Sequence, residues 1–179
     1  MHFISFRPLS VAVCGLAIAA AASTSYGHFL WVKTVTVDGK THGLLYFGES
    51  PADETYHFPD KLAETKLWSR AADGKRTEVV TKSIETDDRV GHIGPVTNDK
   101  APALETSQQY GIYGNALLVY HAKHLNGMAA DTINAAGASK GLKLEIVPHV
   151  KGKEVDLTVL WNGKPLKDTD ISVPVETID

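Results

Sequence analysis

Short runs of alternating apolar and polar residues dominate this chain. Phe29-Leu30-Trp31-Val32 opens one that continues through Thr34-Val35-Thr36-Val37, and Asp38-Gly39 follows as a two-residue hairpin signal. Gly43-Leu44-Leu45-Tyr46-Phe47 is the next predicted strand, closed by Gly48-Glu49-Ser50-Pro51. An acidic and aromatic stretch from Asp53 to Phe58 reads as a loop, and Asp60 to Glu64 allows one helical turn at most. Strands are expected over Thr65 to Trp68 and Thr77 to Ile84, with a turn at Ala72-Asp73-Gly74-Lys75. Val90 to Val96, interrupted by Gly and Pro, reads as an irregular or edge strand.

Gln108 to Ala122 gives the clearest strand signal. Its period of two puts Leu117, Val119 and His121 on one face and Leu118, Tyr120 and Ala122 on the other. Asn126 to Ser139 is either a short helix or a surface loop, and Leu142 to Val147 is a strand stopped by Pro148. The tail alternates again from Glu154 to Trp161, turns at Asn162-Gly163, and ends with Ile171 to Val175. No segment keeps a helical apolar period, and no internal repeat is visible. Strands at roughly 8–12-residue spacing with turn signals between them predict an all-β, Ig-like antiparallel β-sandwich over residues 28–150. Residues 151–179 read as the opening of a second β-domain, or as a C-terminal hairpin that completes the first sheet.

The first 27 residues have a different pattern. Arg7 supplies a positive flank, Leu9 to Ala22 is an apolar stretch, and Ser25-Tyr26-Gly27 places small residues where a signal peptidase cuts. The stretch is short for a membrane span of ~20 residues. Residues 1–27 are therefore expected to be a signal peptide, with a periplasmic or secreted mature chain that has no membrane span. Cleavage after Gly27 removes Cys14, the one cysteine, so no disulfide framework is expected.

Composition narrows the function classes. The 179 residues are 43% hydrophobic and 22% charged, with a formal charge of −3, so no basic face argues for a nucleic-acid partner. Gly-x-Ser-x-Gly, P-loop and dinucleotide fingerprints are all missing, as are His-Glu-x-x-His and paired cysteines. Histidine is the residue that stands out: His28, His42, His57, His92, His121, His124 and His149 all follow the signal segment. Cleavage after Gly27 would make His28 the terminal residue, so that its free amine and imidazole form a two-nitrogen chelate suited to Ni, Co or Cu. Tyr120-His121-Ala122-Lys123-His124 offers two further rings, which meet at one ion only if the strand turns near Lys123. His57, within a loop rich in carboxylates, and Glu49, at a strand end, complete the candidate ligand set of His28, His121, His124, His57 and Glu49. Set against this, the plainer reading of each ring is a solvated surface histidine.

The start His28-Phe29-Leu30-Trp31-Val32 resembles the His-x-x-Trp opening of a secreted bacterial family of unassigned function. That family is labelled a periplasmic component of cobalt/nickel ABC-type transport, or a nickel-uptake substrate-specific region. Leu45-Tyr46-Phe47-Gly48-Glu49, Tyr110-Gly111-Ile112-Tyr113, Leu117 to Lys123, Leu144 to Pro148 and Val159 to Leu166 follow in the family's order. The resemblance implies an exported β-sandwich with a divalent-metal role, a membrane metal-uptake permease as partner, and no catalytic activity. Here His121 stands where Tyr is common in the family. The expected function is metal binding in nickel, cobalt or copper uptake or handling. Two alternatives stay open: a structural β-module without metal, and a copper-dependent oxidative enzyme using an N-terminal histidine brace.

Overall fold

The computed structural model describes residues 27–98 and 100–171, so the expected signal segment (apart from Gly27) and the last strand (apart from Ile171) lie outside the described residues. The Asp38-Gly39 turn has positive φ at both residues, 51° and 73°. This is the hairpin geometry whose twist matches the flanking strands. It joins β1 (Phe29–Val37) to β2 (Lys40–Gly48) in unbroken antiparallel register from Phe29↔Gly48 to Val37↔Lys40. A 3₁₀ turn at Asp60–Leu62 precedes β3 (Leu67–Arg70), β4 (Arg76–Val79), β5 (Lys82–Thr86) and β6 (Arg89–Pro95). Then come β7 (Ala103–Tyr113), β8 (Ala116–Leu125), the short helix α1 (Ala130–Ala136), β9 (Leu144–Lys151), β10 (Glu154–Trp161) and β11 (Lys164–Pro165).

The strands form two four-stranded antiparallel sheets, ordered β1-β2-β6-β5 and β4-β3-β7-β8, and a third of three strands, β11-β10-β9. The all-β, sandwich-like expectation is therefore met. Between the first two sheets, Leu30, Val32, Leu45 and Phe47 meet Leu67, Val79 and Leu104. Phe58 and Leu62 plug the same core from the loop between β2 and β3. Each such aliphatic or aromatic side chain contributes about 1.5–3 kcal/mol on burial. Leu44, Tyr46 and Ile93 form a second cluster with Trp31, Val35, Val37 and Ile84, so β2 is apolar on both faces.

Four local expectations are corrected. Thr77 to Ile84 is not one strand: the chain leaves one sheet at Val79 and enters the other at Lys82, with Val80 exposed at the crossing. β6 is an interior strand rather than an edge, because its glycines permit close approach. A Cβ at Gly91 would strike the Leu45 carbonyl, and one at Gly94 the Val80 carbonyl. The strong signal from Gln108 to Ala122 is a hairpin, since Gly114 takes φ 61° and reverses the chain. Pro148 does not stop β9. That strand is an edge, where a residue lacking N–H is tolerated, and Pro148 sits opposite Leu157.

β9 pairs with β10, so the third sheet begins at Leu144, upstream of the boundary expected after residue 150. Its register stacks Leu144, Ile146, Pro148 and Val150 beside Trp161, Val159, Leu157 and Val155, and Leu144, Ile146, Val155, Leu157 and Trp161 are exposed. Trp161 lies on this open face. No helix among the described residues is long and apolar enough to cross a membrane.

Candidate functional site

His28 directly precedes β1, and the Phe29↔Gly48 pairing brings it beside Glu49, the residue after β2. The register thus joins two of the expected ligands. His28 Nε2 faces Glu49 Oε1 at 3.7 Å. The ring lies over Tyr56 with centroids 3.8 Å apart, and is stacked on Phe47 at 5.7 Å and 18°. The Tyr120 hydroxyl donates to the His28 carbonyl at 3.2 Å. Tyr120 can reach because β8 and β1 are the neighbouring edge strands of the two sheets. Burial, with Tyr110 and Tyr113 nearby, raises the Tyr120 phenol above its usual range, so it stays a hydrogen-bond donor.

The loop that carries Tyr56 is tied down by its polar residues. Asp53 accepts from the Glu49 backbone N–H at 3.2 Å, and its own N–H donates to the Ser50 carbonyl. Only glycine fits at position 48, because a Cβ there would collide with the Asp53 backbone and carboxylate. Glu54 receives Lys33 and the Arg89 Nε–H, and its carbonyl accepts from Val90. Burial would raise the Glu54 carboxyl, but the hydrogen bonds and charges of Lys33 and Arg89 outweigh it and hold the group below its ordinary value.

His28 stands at one side of a cavity of about 620 Å³. Phe47, Tyr56, Tyr110, Tyr113 and Tyr120 supply aromatic walls, and His57, Asp60 and Lys61 also line it. Lys61 Nζ lies 5.0 Å above the Tyr110 ring. The sequence pattern pointed to Tyr120 beside His121, but not to Tyr56, Tyr110, Tyr113 or Lys61. Alternation along the β7–β8 hairpin does place Tyr110 and Tyr120 on one face. The contribution of the loop from Ser50 to Pro59 has no periodic signature. A cavity of about 740 Å³ lies at the opposite, hairpin end of β1 and β2, where His42 Nδ1 pairs with the Lys40 carbonyl of its own turn.

The remaining candidates lie apart from His28 to different degrees. His57 is exposed and lines the His28 cavity, though no contact joins the two rings. His124 Nε2 pairs with Thr34 Oγ1 at 3.2 Å. Thr34 is six residues along β1 from His28, a distance of ~20 Å at a strand's rise per residue. His121 points to the other face of β8 from Tyr120, into a recess lined by Phe29, Trp31, Leu142 and Ile146, where its Nδ1 is buried without a hydrogen-bond partner. Burial lowers the proton affinity of both rings, assisted by Lys143 for His121 and by Lys33 for His124. The structure therefore joins His28 with Glu49 and puts His57 on the same cavity. It does not bring His121 or His124 to that point. Among the described residues no group of three or more His, Cys, Asp or Glu side chains is arranged to hold a metal ion.

Chemically, a carboxylate opposite Nε2 favours the tautomer with the proton on that nitrogen. The Nδ1 lone pair is then free on the side nearer the residue's own backbone nitrogen. The aromatic contacts hold the ring in that orientation.

A second polar concentration was not foreseen at all. Glu105, fully buried on β7, accepts from Arg70 Nε at 2.9 Å and from Ser139 Oγ at 2.8 Å. Arg76 Nε lies 2.8 Å from the same carboxylate as a charge contact without hydrogen-bond alignment. Glu145, also buried, takes Lys123 at 2.8 Å and the Ser139 backbone N–H at 2.7 Å. The cluster fastens the segment between α1 and β9 to the second sheet. Compared with known proteins, the chain matches no family model, no curated protein and no solved structure.

Proposed function

We propose that this chain is an exported metal-binding protein that holds a divalent nickel, cobalt or copper ion at His28, in the service of uptake or handling with a membrane permease as partner. The observation that carries this reading is the way His28 is held. Its ring is stacked on Phe47 and tilted against Tyr56, its Nε2 is turned toward Glu49, and its carbonyl is bonded by Tyr120. Removal of residues 1–27 as a signal peptide would convert the backbone nitrogen of His28 into an amine. That amine and Nδ1 then form a chelate on an already oriented ring. Glu49 would act from outside the ligand set, facing the ring nitrogen that does not bind the ion. The donor types fit a borderline transition ion better than magnesium or calcium, which take oxygen ligands.

Both nitrogens must be deprotonated to bind, so affinity should fall as pH drops through the amine range near ~7.7–8.0 and the imidazole range near ~6.5. The test is equilibrium dialysis of the form beginning at His28 against Ni(II), Co(II) or Cu(II). The expected result is binding of one ion at pH 8 that weakens at pH 6. No binding of any of the three ions contradicts the proposal and favours a β-module without metal.

A further inference from the structure

The cavity of about 620 Å³ beside His28 contains two charges that the fold does not use. Asp60 and Lys61 line it from the 3₁₀ turn, and both are exposed. Among the described residues neither side chain takes part in an ion pair or a hydrogen bond. The one contact of Lys61 is aromatic, with Nζ 5.0 Å above the Tyr110 ring. The other walls are aromatic too, from Phe47, Tyr56, Tyr113 and Tyr120. These rings meet at steep angles: Phe47 to Tyr120 at 79°, Tyr110 to Tyr120 at 85°, and Phe47 to Tyr56 at 53°. They therefore do not make one flat platform for a flat ligand. Walls that turn in this way suit a compact, rounded group.

The face of an aromatic ring attracts a cation within about 6 Å of its centroid, and Lys61 on Tyr110 shows that attraction at work here. A ligand with only a positive charge would gain from the rings and Asp60 but meet Lys61. One with only a negative charge would meet Asp60 and the negative ring faces. A ligand carrying both charges satisfies both residues. The cavity volume falls within the range of roughly 300–1,000 Å³ typical of small-molecule sites.

We propose that this cavity binds a small zwitterion joining a methylated ammonium group to a carboxylate. The ammonium lies among the tyrosine rings with Asp60 as its counter-charge, and the carboxylate pairs with Lys61. Methylation matters because a bare ammonium must give up hydrogen bonds to water that ring faces do not replace. No covalent bond forms or breaks, and no metal ion takes part. The inference thus goes beyond the reading of His28 as a metal ligand and does not rest on it.

Titration calorimetry on the full chain, with EDTA present throughout, tests it with three probes. Trimethylglycine carries both charges. Its isostere tert-butylacetate has carbon in place of nitrogen, so it keeps the shape and the carboxylate but loses the positive charge. Choline keeps the methylated ammonium and lacks the carboxylate. Trimethylglycine is expected to bind about tenfold more tightly than tert-butylacetate, the worth of two exposed cation–π contacts. It should bind about threefold more tightly than choline, the worth of one exposed ion pair. Tyr113→Ala should weaken trimethylglycine about threefold, Lys61→Gln should abolish its advantage over choline, and Asp60→Asn should reduce its advantage over tert-butylacetate. All three positions are exposed, so the core stays intact. No binding of trimethylglycine, equal binding of either other probe, or an advantage over choline that survives Lys61→Gln would overturn the inference. Dialysis against nickel without EDTA decides metal binding at His28 separately.

Discussion

Two regions of this protein concentrate polar side chains, and they are built on opposite terms. Around Glu105, charges are buried and paired: Arg70, Arg76 and Ser139 converge on one carboxylate, and Lys123 and the Ser139 N–H converge on Glu145. Around His28, the side chains are half-open, the ring is held mainly by aromatic contacts, and a cavity adjoins it. Residue type does not separate the two. The Glu105 cluster is richer in charge, yet its two carboxylates already accept from several donors, so it holds chain segments together. The His28 site leaves donor capacity beside a space that a ligand can enter. A functional site is recognised here by unspent bonding capacity with access, not by the density of titratable groups.

Substitutions should expose this contrast, and the largest effect belongs to the closed region. Glu105→Gln removes the charge that Arg70 faces while both side chains are almost fully buried. Breaking such a pair from one side costs about 3–5 kcal/mol. Urea unfolding should show that loss, and a change below about 1 kcal/mol would mean the cluster is not the clamp described. Ser139→Ala removes one donor from Glu105 and should cost about 1–3 kcal/mol in the same measurement.

The open region should respond differently. Tyr120→Phe keeps the ring packing against Phe47 and Tyr110 but deletes the hydrogen bond to the His28 carbonyl. About 0.5–1.5 kcal/mol of stability is the expected cost, with weaker nickel binding alongside. Glu49→Gln is the sharpest contrast. This exposed side chain contributes at most about 0.5 kcal/mol to folding. Nevertheless, as the orienting partner of a ligand, its loss should weaken nickel binding by about 10–100-fold. Equal small effects on both readouts would place His28 in the same class as ordinary surface histidines.

Acid provides a further comparison. His92, His121 and His124 all have proton affinities lowered first by burial, so the fold prefers them neutral. Their contribution is present above the unfolded value of ~6.5 and is lost as pH falls from there through their lower folded values. Stability measured by urea unfolding should therefore decline with acid over that window, and His124→Gln should flatten part of the slope. A slope unchanged in this variant would remove His124 from the explanation.

The strands were legible because β1 and β10 alternate, β2 and β8 carry apolar runs bounded by turn signals, and the Asp38-Gly39 and Asn162-Gly163 turns demand positive φ. The crossing at Val80-Thr81 was not, since an unbroken alternating run gives no sign that the chain changes sheets. The placement of β6 depended on Gly91 and Gly94 meeting carbonyls from other strands, a tertiary fact. At the site, the His28–Glu49 neighbourhood follows from the β1–β2 hairpin register, which the turn signal fixes. The expectation that His121 and His124 share an ion depended on β8 turning near Lys123. Instead the strand continues to Leu125, which separates the two rings onto opposite faces. The tyrosine walls and the Glu105 cluster bring together residues from separate loops and strands, and local pattern does not encode such meetings.

The most direct test compares two forms of the chain beginning at His28, one with its terminal amine free and one with that amine acetylated. Both keep the same ring, Glu49 and cavity, and only the amine differs. Equilibrium dialysis against Ni(II) at pH 8 should give one tightly held ion for the first form and at least about tenfold weaker binding for the second, because the chelate is lost. Equal binding by the two forms would contradict a terminal His28 chelate.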